Sequence, residues 1–189
     1  GPALLAHVGA QAPGVRLNFV QKTDKDSAPL RDGMADLETG VIGADTAPEL
    51  RVQALFRDRF IGVVRAGHPL ADCLGTAAAY CQGRHIAISR RGVAHGPIDR
   101  ALLALGLERQ IATLVSGFAT ALALARASEL IASVPERHTG ALRVGMHSFA
   151  LPFAVPGITV SLLWHPRMEG DAAHRWLRGC VRAVCADSL

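Results

Sequence analysis

The sequence predicts an α/β fold with mixed, largely parallel sheets. Apolar runs of strand length alternate along the chain with stretches whose apolar residues recur at helical spacing. The 189 residues are half hydrophobic and only 19% charged, enough for a packed core and unlike a disordered segment. Proline and glycine punctuate the runs: Pro13-Gly14 is a turn, Pro97 opens a helix that Gly106 closes, and Pro135 stops a strand. The length suits one large domain or two small lobes.

The elements follow in order. Pro2 to Ala10 is a short helix with Leu4, Leu5 and Val8 on one face. Val15 to Val20 alternates apolar and polar residues, as a half-buried strand does. Lys22 to Ser27 is a polar loop, and Pro29 to Met34 a short helix with Gly33 near its end. Asp36 to Ile42, Leu50 to Leu55 and Arg59 to Val64 read as strands. Arg84 to Ser89 is a strand, Arg90 to Gly96 a loop, and the helix from Pro97 turns Ile98, Leu102 and Leu105 inward. Ile111 to Val115 is a strand, Phe118, Leu122 and Ala125 mark the inner face of a helix, and Leu130 to Val134 and Ile158 to Trp164 are strands. In Trp164-His165-Pro166-Arg167-Met168-Glu169-Gly170-Asp171, a strand ends, a turn forms and Asp171 caps a last helix. Ala173, Trp176, Leu177, Cys180, Val181 and Val184 would be the buried stripe of that helix, with His174, Arg175, Arg178 and Arg182 in solvent.

Several function classes are disfavoured. The net charge of +4 is spread along the chain, and aromatics are 5%, so neither a basic stripe nor a base-stacking platform is visible. Cys73, Cys81, Cys180 and Cys185 form no CxxC pair and read as reduced thiols of a cytoplasmic protein. His165 and His174 lack helical metal-ligand spacing, so no metal is expected. The apolar stretch around Phe118 to Val134 is interrupted by Arg126 and Glu129, which argues against a membrane span. Ser89, His95, Asp99 and Ser116 could compose a hydrolase, but no G-x-S-x-G elbow, P-loop or dinucleotide fingerprint is present, so neither catalysis nor a cofactor is expected. The chain begins Gly1-Pro2-Ala3 without Met and reads as a fragment that starts near a helix.

Three strand–helix junctions carry polar groups: Lys22-Thr23, Ser89 to Gly96 with His95, and Val115-Ser116-Gly117-Phe118. In open α/β folds ligands sit at the carboxyl ends of strands, where helix N-termini favour anions. Singly, each is an ordinary solvated connection; together they suggest a pocket.

The order of blocks resembles the effector-binding domain of LysR-type transcriptional regulators over essentially the whole chain. The blocks are Pro2-Ala3-Leu4-Leu5 through Leu17, Leu30-Arg31-Asp32-Gly33-Met34-Ala35-Asp36-Leu37, Leu55 to Phe60 with Arg65-Ala66-Gly67-His68-Pro69-Leu70-Ala71, Leu105-Gly106-Leu107, Leu130 to Arg137, and Trp164-His165-Pro166-Arg167 with Asp171 and Arg175-Trp176-Leu177-Arg178. The resemblance implies a two-lobed fold of the type 2 periplasmic-binding-protein kind. Residues 1–61 with 156–189 would form the first lobe and 62–155 the second. It implies a small, anionic and in some members aromatic effector between the lobes, contacted by Thr23, Gly92, His95, Gly96, Ser116 and Phe118. It further implies a homodimer or homotetramer that meets DNA only through a winged helix-turn-helix not in this chain, and a first sheet strand that is also absent. A periplasmic-type solute-binding protein of the same fold is the alternative.

Overall fold

The computed structural model describes residues 1–20, 22, 27–43, 46–89, 92 and 95–186. The chain divides into two compact units, Gly1–Arg57 with Ile158–Leu189, and Asp58–Gly157.

The first unit holds α1 (Pro2–Gln11), α2 (Ala28–Asp32), β1 (Glu38–Val41) and most of β2 (Arg51–Asp58). The second holds β3 (Phe60–Arg65), α3 (Ala77–Gln82), β4 (Arg84–Ile88), α4 (Pro97–Leu103), β5 (Gln110–Val115), α5 (Phe118–Arg126), β6 (Leu130–Pro135), a 3-10 turn at Gly140–Arg143, and β7 (Met146–Ala150). The chain then returns to the first unit with β8 (Ile158–Trp164), a 3-10 turn at Pro166–Met168 and α6 (Ala172–Ala186).

In the first unit the strand order is β1-β8-β2, with β1 and β8 antiparallel. Alternation along β8 sends Leu162 and Trp164 to one face, where they meet Val181 of α6, and Leu163 to the other, where it meets Leu30 and Leu50. The family-like blocks prove to be ties of this scaffold. Arg167 donates to the Leu30 carbonyl at 2.8 Å and to the Arg31 carbonyl, capping the end of α2, where Gly33 turns at φ +77. His174 Nε2 donates to the Asp36 carbonyl at 2.9 Å, and Asp171 caps α6 by accepting the His174 N–H at 2.7 Å.

In the second unit the order is β5-β4-β6-β3-β7. β4 runs parallel to β5 and β6, while β3 is antiparallel to β6 and β7. Both faces are covered. Val63 and Ala132 face α5 with Ile61, Ile86 and Leu122, while their neighbours Val64 and Ile131 pack with Tyr80 of α3 and Ile98 and Leu102 of α4. A sheet buried on both sides reads as continuous apolar runs, which is why residues 60–64 and 130–134 lack alternation. His68 is buried, linking the Glu129 carbonyl at 3.0 Å and the Leu70 N–H at 3.1 Å, so it is structural.

Three expectations are corrected, and two elements are added. Residues 15–20 form no strand, because no described strand hydrogen-bonds to them, and Phe19 and Val20 are exposed. Leu105 is exposed rather than inward, since α4 ends at Leu103 and Gly106 at φ +69 turns the chain so that Leu107 reaches the core. On α6 the buried residues are His174, Arg178, Cys180 and Val181, while Ala173 is exposed and Trp176, Leu177 and Val184 are half-buried. Hydrogen-bonded polar groups took inner positions that hydrophobicity alone assigned to alanine and valine. Finally, α3 and β7 were not anticipated: Ala77–Gln82 is short and alanine-rich, and Met146–Ala150 has no clear period.

Candidate functional site

Because β4, β5 and β6 run the same way, their carboxyl ends at Ile88, Val115 and Pro135 open on one edge of the second unit's sheet. Gly92, His95 and Gly96 follow β4, Ser116 and Phe118 follow β5, and His138 follows β6. The structure thus brings five of the six expected contact residues to one edge. Thr23 lies outside the described residues. Its neighbour Lys22 is spent on an ion pair with Glu38 at 2.8 Å.

Gly92 is exposed with φ +71, a conformation that side-chained residues rarely adopt. His95 and Ser116 are exposed, and Gly96 and Phe118 half-buried. α5 starts behind Gly117 with no side chain capping its first N–H groups, which leaves donors aimed at this edge. The Phe118 ring packs into the core on one side and meets the His138 ring edge-on, centroids 5.8 Å apart.

Two buried carboxylates hold this edge in place. Asp58 accepts the N–H groups of Arg59, Arg137 and His138 at 2.8 to 3.0 Å, fixing the turn after β6. Asp99 accepts the Gly96 N–H at 2.7 Å and receives Arg109 Nε and Nη2 at 2.7 and 3.1 Å, with side chains about nine-tenths buried. Burial pushes the Asp99 carboxyl up, but the Arg109 guanidinium and the Gly96 N–H outweigh it and hold its pKa below the ordinary carboxylate value. Asp99 is therefore committed to Arg109 and does not serve as the carboxylate orienter of a Ser-His-Asp arrangement with His95. Sequence reasoning missed His138, Asp58 and Arg109. The one signal for His138 was its place just past a strand that parallels two others with polar ends.

Among the described residues, no group of three or more His, Cys, Asp or Glu could hold a metal ion. No helix of the described residues is long and apolar enough to cross a membrane. A cavity of about 450 Å³ lies in the first unit, lined by residues of β2, β8 and α6. At the strand-end edge of the second unit the convergent groups are the α5 N–H donors, Ser116, Phe118 and His138.

The family model of the LysR substrate binding domain matches residues 2–186. The chain belongs to that family. This LysR-type domain is 25% identical over 184 residues to the HTH-type transcriptional activator NagR of a Ralstonia species, covering 94% of this chain and 60% of NagR. It thus spans about three-fifths of that relative's length. A probable transcriptional regulator, PA0477 from Pseudomonas aeruginosa, superposes with a TM-score of 0.81 at 28% identity, over 96% of this chain and 62% of that one. The effector-binding domain of QuiR, solved with shikimate, shares the fold, with a TM-score of 0.72 at 14% identity over 98% of this chain and 90% of that one.

Proposed function

We propose that this domain is the effector-sensing part of a LysR-type DNA-binding transcriptional regulator, and that its ligand is a small aromatic carboxylate held by Thr23, Gly92, His95, Gly96, Ser116 and Phe118. The two units correspond to regulatory lobes I and II. The observation that carries the reading is the convergence of three parallel strand ends on one edge, with an uncapped helix N-terminus beside two aromatic rings. The α5 N–H groups and Ser116 suit a carboxylate, and Phe118, His95 and His138 suit the face and edge of a ring. In the whole protein, which is cytoplasmic and assembles as a dimer or tetramer, DNA is bound through a separate winged helix-turn-helix. Ligand alters transcription there by favouring one lobe geometry through differential affinity. The match to a regulator family favours this over a periplasmic-type solute-binding protein.

Thermal-shift titration with benzoate and shikimate tests the ligand class, since a ligand that binds only the native state raises apparent stability by mass action. A concentration-dependent rise is expected for benzoate. His95→Ala should weaken it by roughly two- to tenfold, the worth of one ring–ring contact, without moving the ligand-free midpoint. Unchanged benzoate affinity in His95→Ala removes His95 from the site. No stabilisation by either acid across the soluble range overturns the carboxylate assignment.

A further inference from the structure

Three arginines converge on one face of the first unit. There a cavity of about 450 Å³ is lined by Val52 of β2, Trp164 at the end of β8, Glu169, and Arg175, Arg178 and Arg182 of α6. Spacings of three and four place the three arginines on one helix face.

Charge at this groove does not balance. Arg178 is more than nine-tenths buried, yet its donors reach mainly neutral acceptors: the Met168 carbonyl at 3.2 Å, the Glu169 carbonyl at 3.4 Å and His174 Nδ1. Its carboxylate contact is Glu169 Oε1 at 3.9 Å, and the other Glu169 oxygen is taken by Trp164 Nε1 at 2.8 Å. The Arg178 guanidinium lies over the Trp164 ring, 4.7 Å from its centroid, which orients it without neutralising it. Arg175 and Arg182 are exposed and make no ion pair among the described residues. Three cations therefore face one carboxylate, a surplus of two positive charges around a buried guanidinium, where unpaired charge is costly.

We propose that this groove binds a small organic dianion, a phosphate monoester or a dicarboxylate, with one oxyanion group bridged by Arg175 and Arg182 above Arg178. Planar guanidinium forks suit such oxygens better than point charges do. The groove volume lies in the range of small-molecule sites, and half-exposed Val52 offers an apolar wall for the carbon body. The site is independent of the benzoate reading and lies in the other unit.

The chain has two tryptophans, so Trp176→Phe leaves Trp164 as the sole indole reporter at the groove. In that background, inorganic phosphate and succinate are titrated at pH 7.5 against potassium chloride of matched ionic strength, with isothermal calorimetry on the unsubstituted protein as a second measurement. A saturable Trp164 fluorescence change is expected with at least one dianion. The phosphate arm alone responding selects phosphate esters; the succinate arm alone selects dicarboxylates. R175Q and R182Q together should weaken the response by at least about tenfold, as loss of charge-assisted hydrogen bonds does. The proposal is overturned if chloride matches both dianions, if the paired substitution leaves affinity unchanged, or if the signal tracks protein concentration instead of added anion, which would make the groove a contact between copies of the chain.

Discussion

His85 makes the buried polar network measurable. Its ring is fully buried, Nε2 faces the Tyr80 carbonyl at 2.8 Å, and Nδ1 meets no partner among the described residues. A carbonyl only accepts, so Nε2 carries the proton and the orphan nitrogen is the bare one. Burial is the main force against charging this ring. The Tyr80 carbonyl opposes it, the nearby Arg109 charge adds to it, and the net effect lowers the pKa from 6.5 to about 4. The unfolded chain therefore takes up a proton below pH 6.5 that the folded chain refuses until about pH 4. Stability is undiminished above this window and falls as pH drops through it. The full window corresponds to about 3 kcal/mol, and about 2 kcal/mol is lost by pH 5. Urea unfolding followed by tryptophan fluorescence at pH 7, 6 and 5 reads this directly. His85→Leu keeps the volume and removes the titration, so the wild type should lose about 2 kcal/mol more than the variant between pH 7 and 5. Equal losses, or a His85 ring that titrates by NMR near 6.5, would refute the reasoning.

Other expectations follow from single contacts. Asp99→Ala strands the Arg109 guanidinium in the core and frees the Gly96 N–H, so urea unfolding should show a loss of about 3–5 kcal/mol. The Asp99–Arg109 contribution is present above the ordinary carboxylate pKa and is lost as pH falls through the depressed value, a window lying below that of His85. Gly62→Ala would set a Cβ 2.2 Å from the Phe149 ring on the neighbouring strand, and a loss of about 1–3 kcal/mol is expected by the same assay. No change would mean that β7 yields freely. Asp171→Ala removes the cap of α6 and should cost about 1 kcal/mol, whereas Asp171→Ser should restore most of it.

Much of the fold was legible because its signals are local. Pro97 and Gly106 bracket the α4 segment, the apolar run at residues 130–134 is a strand, and Asp171 caps α6. The order of short blocks identified the family, and the structure shows that several of those blocks are ties: Arg167 to the end of α2, His174 to Asp36, and His68 to Glu129. Of the site, the junctions at Gly92 to Gly96 and Ser116 to Phe118 were readable as strand ends followed by polar turns.

By itself, then, the sequence determined most of the strands and helices, several of their stops, and the family they compose, since propensity, caps and apolar runs act over a few residues. Tertiary structure alone decided what depends on distant partners. It left residues 15–20 unpaired among the described strands, ran β4 parallel to both β5 and β6 so that His138 joined Phe118, and paired Asp99 with Arg109 across ten positions. It also buried Arg178 on a helix face that a hydrophobicity count had assigned to solvent. Hydrogen-bond partners and sheet neighbours decide such matters, and no local window of sequence contains them.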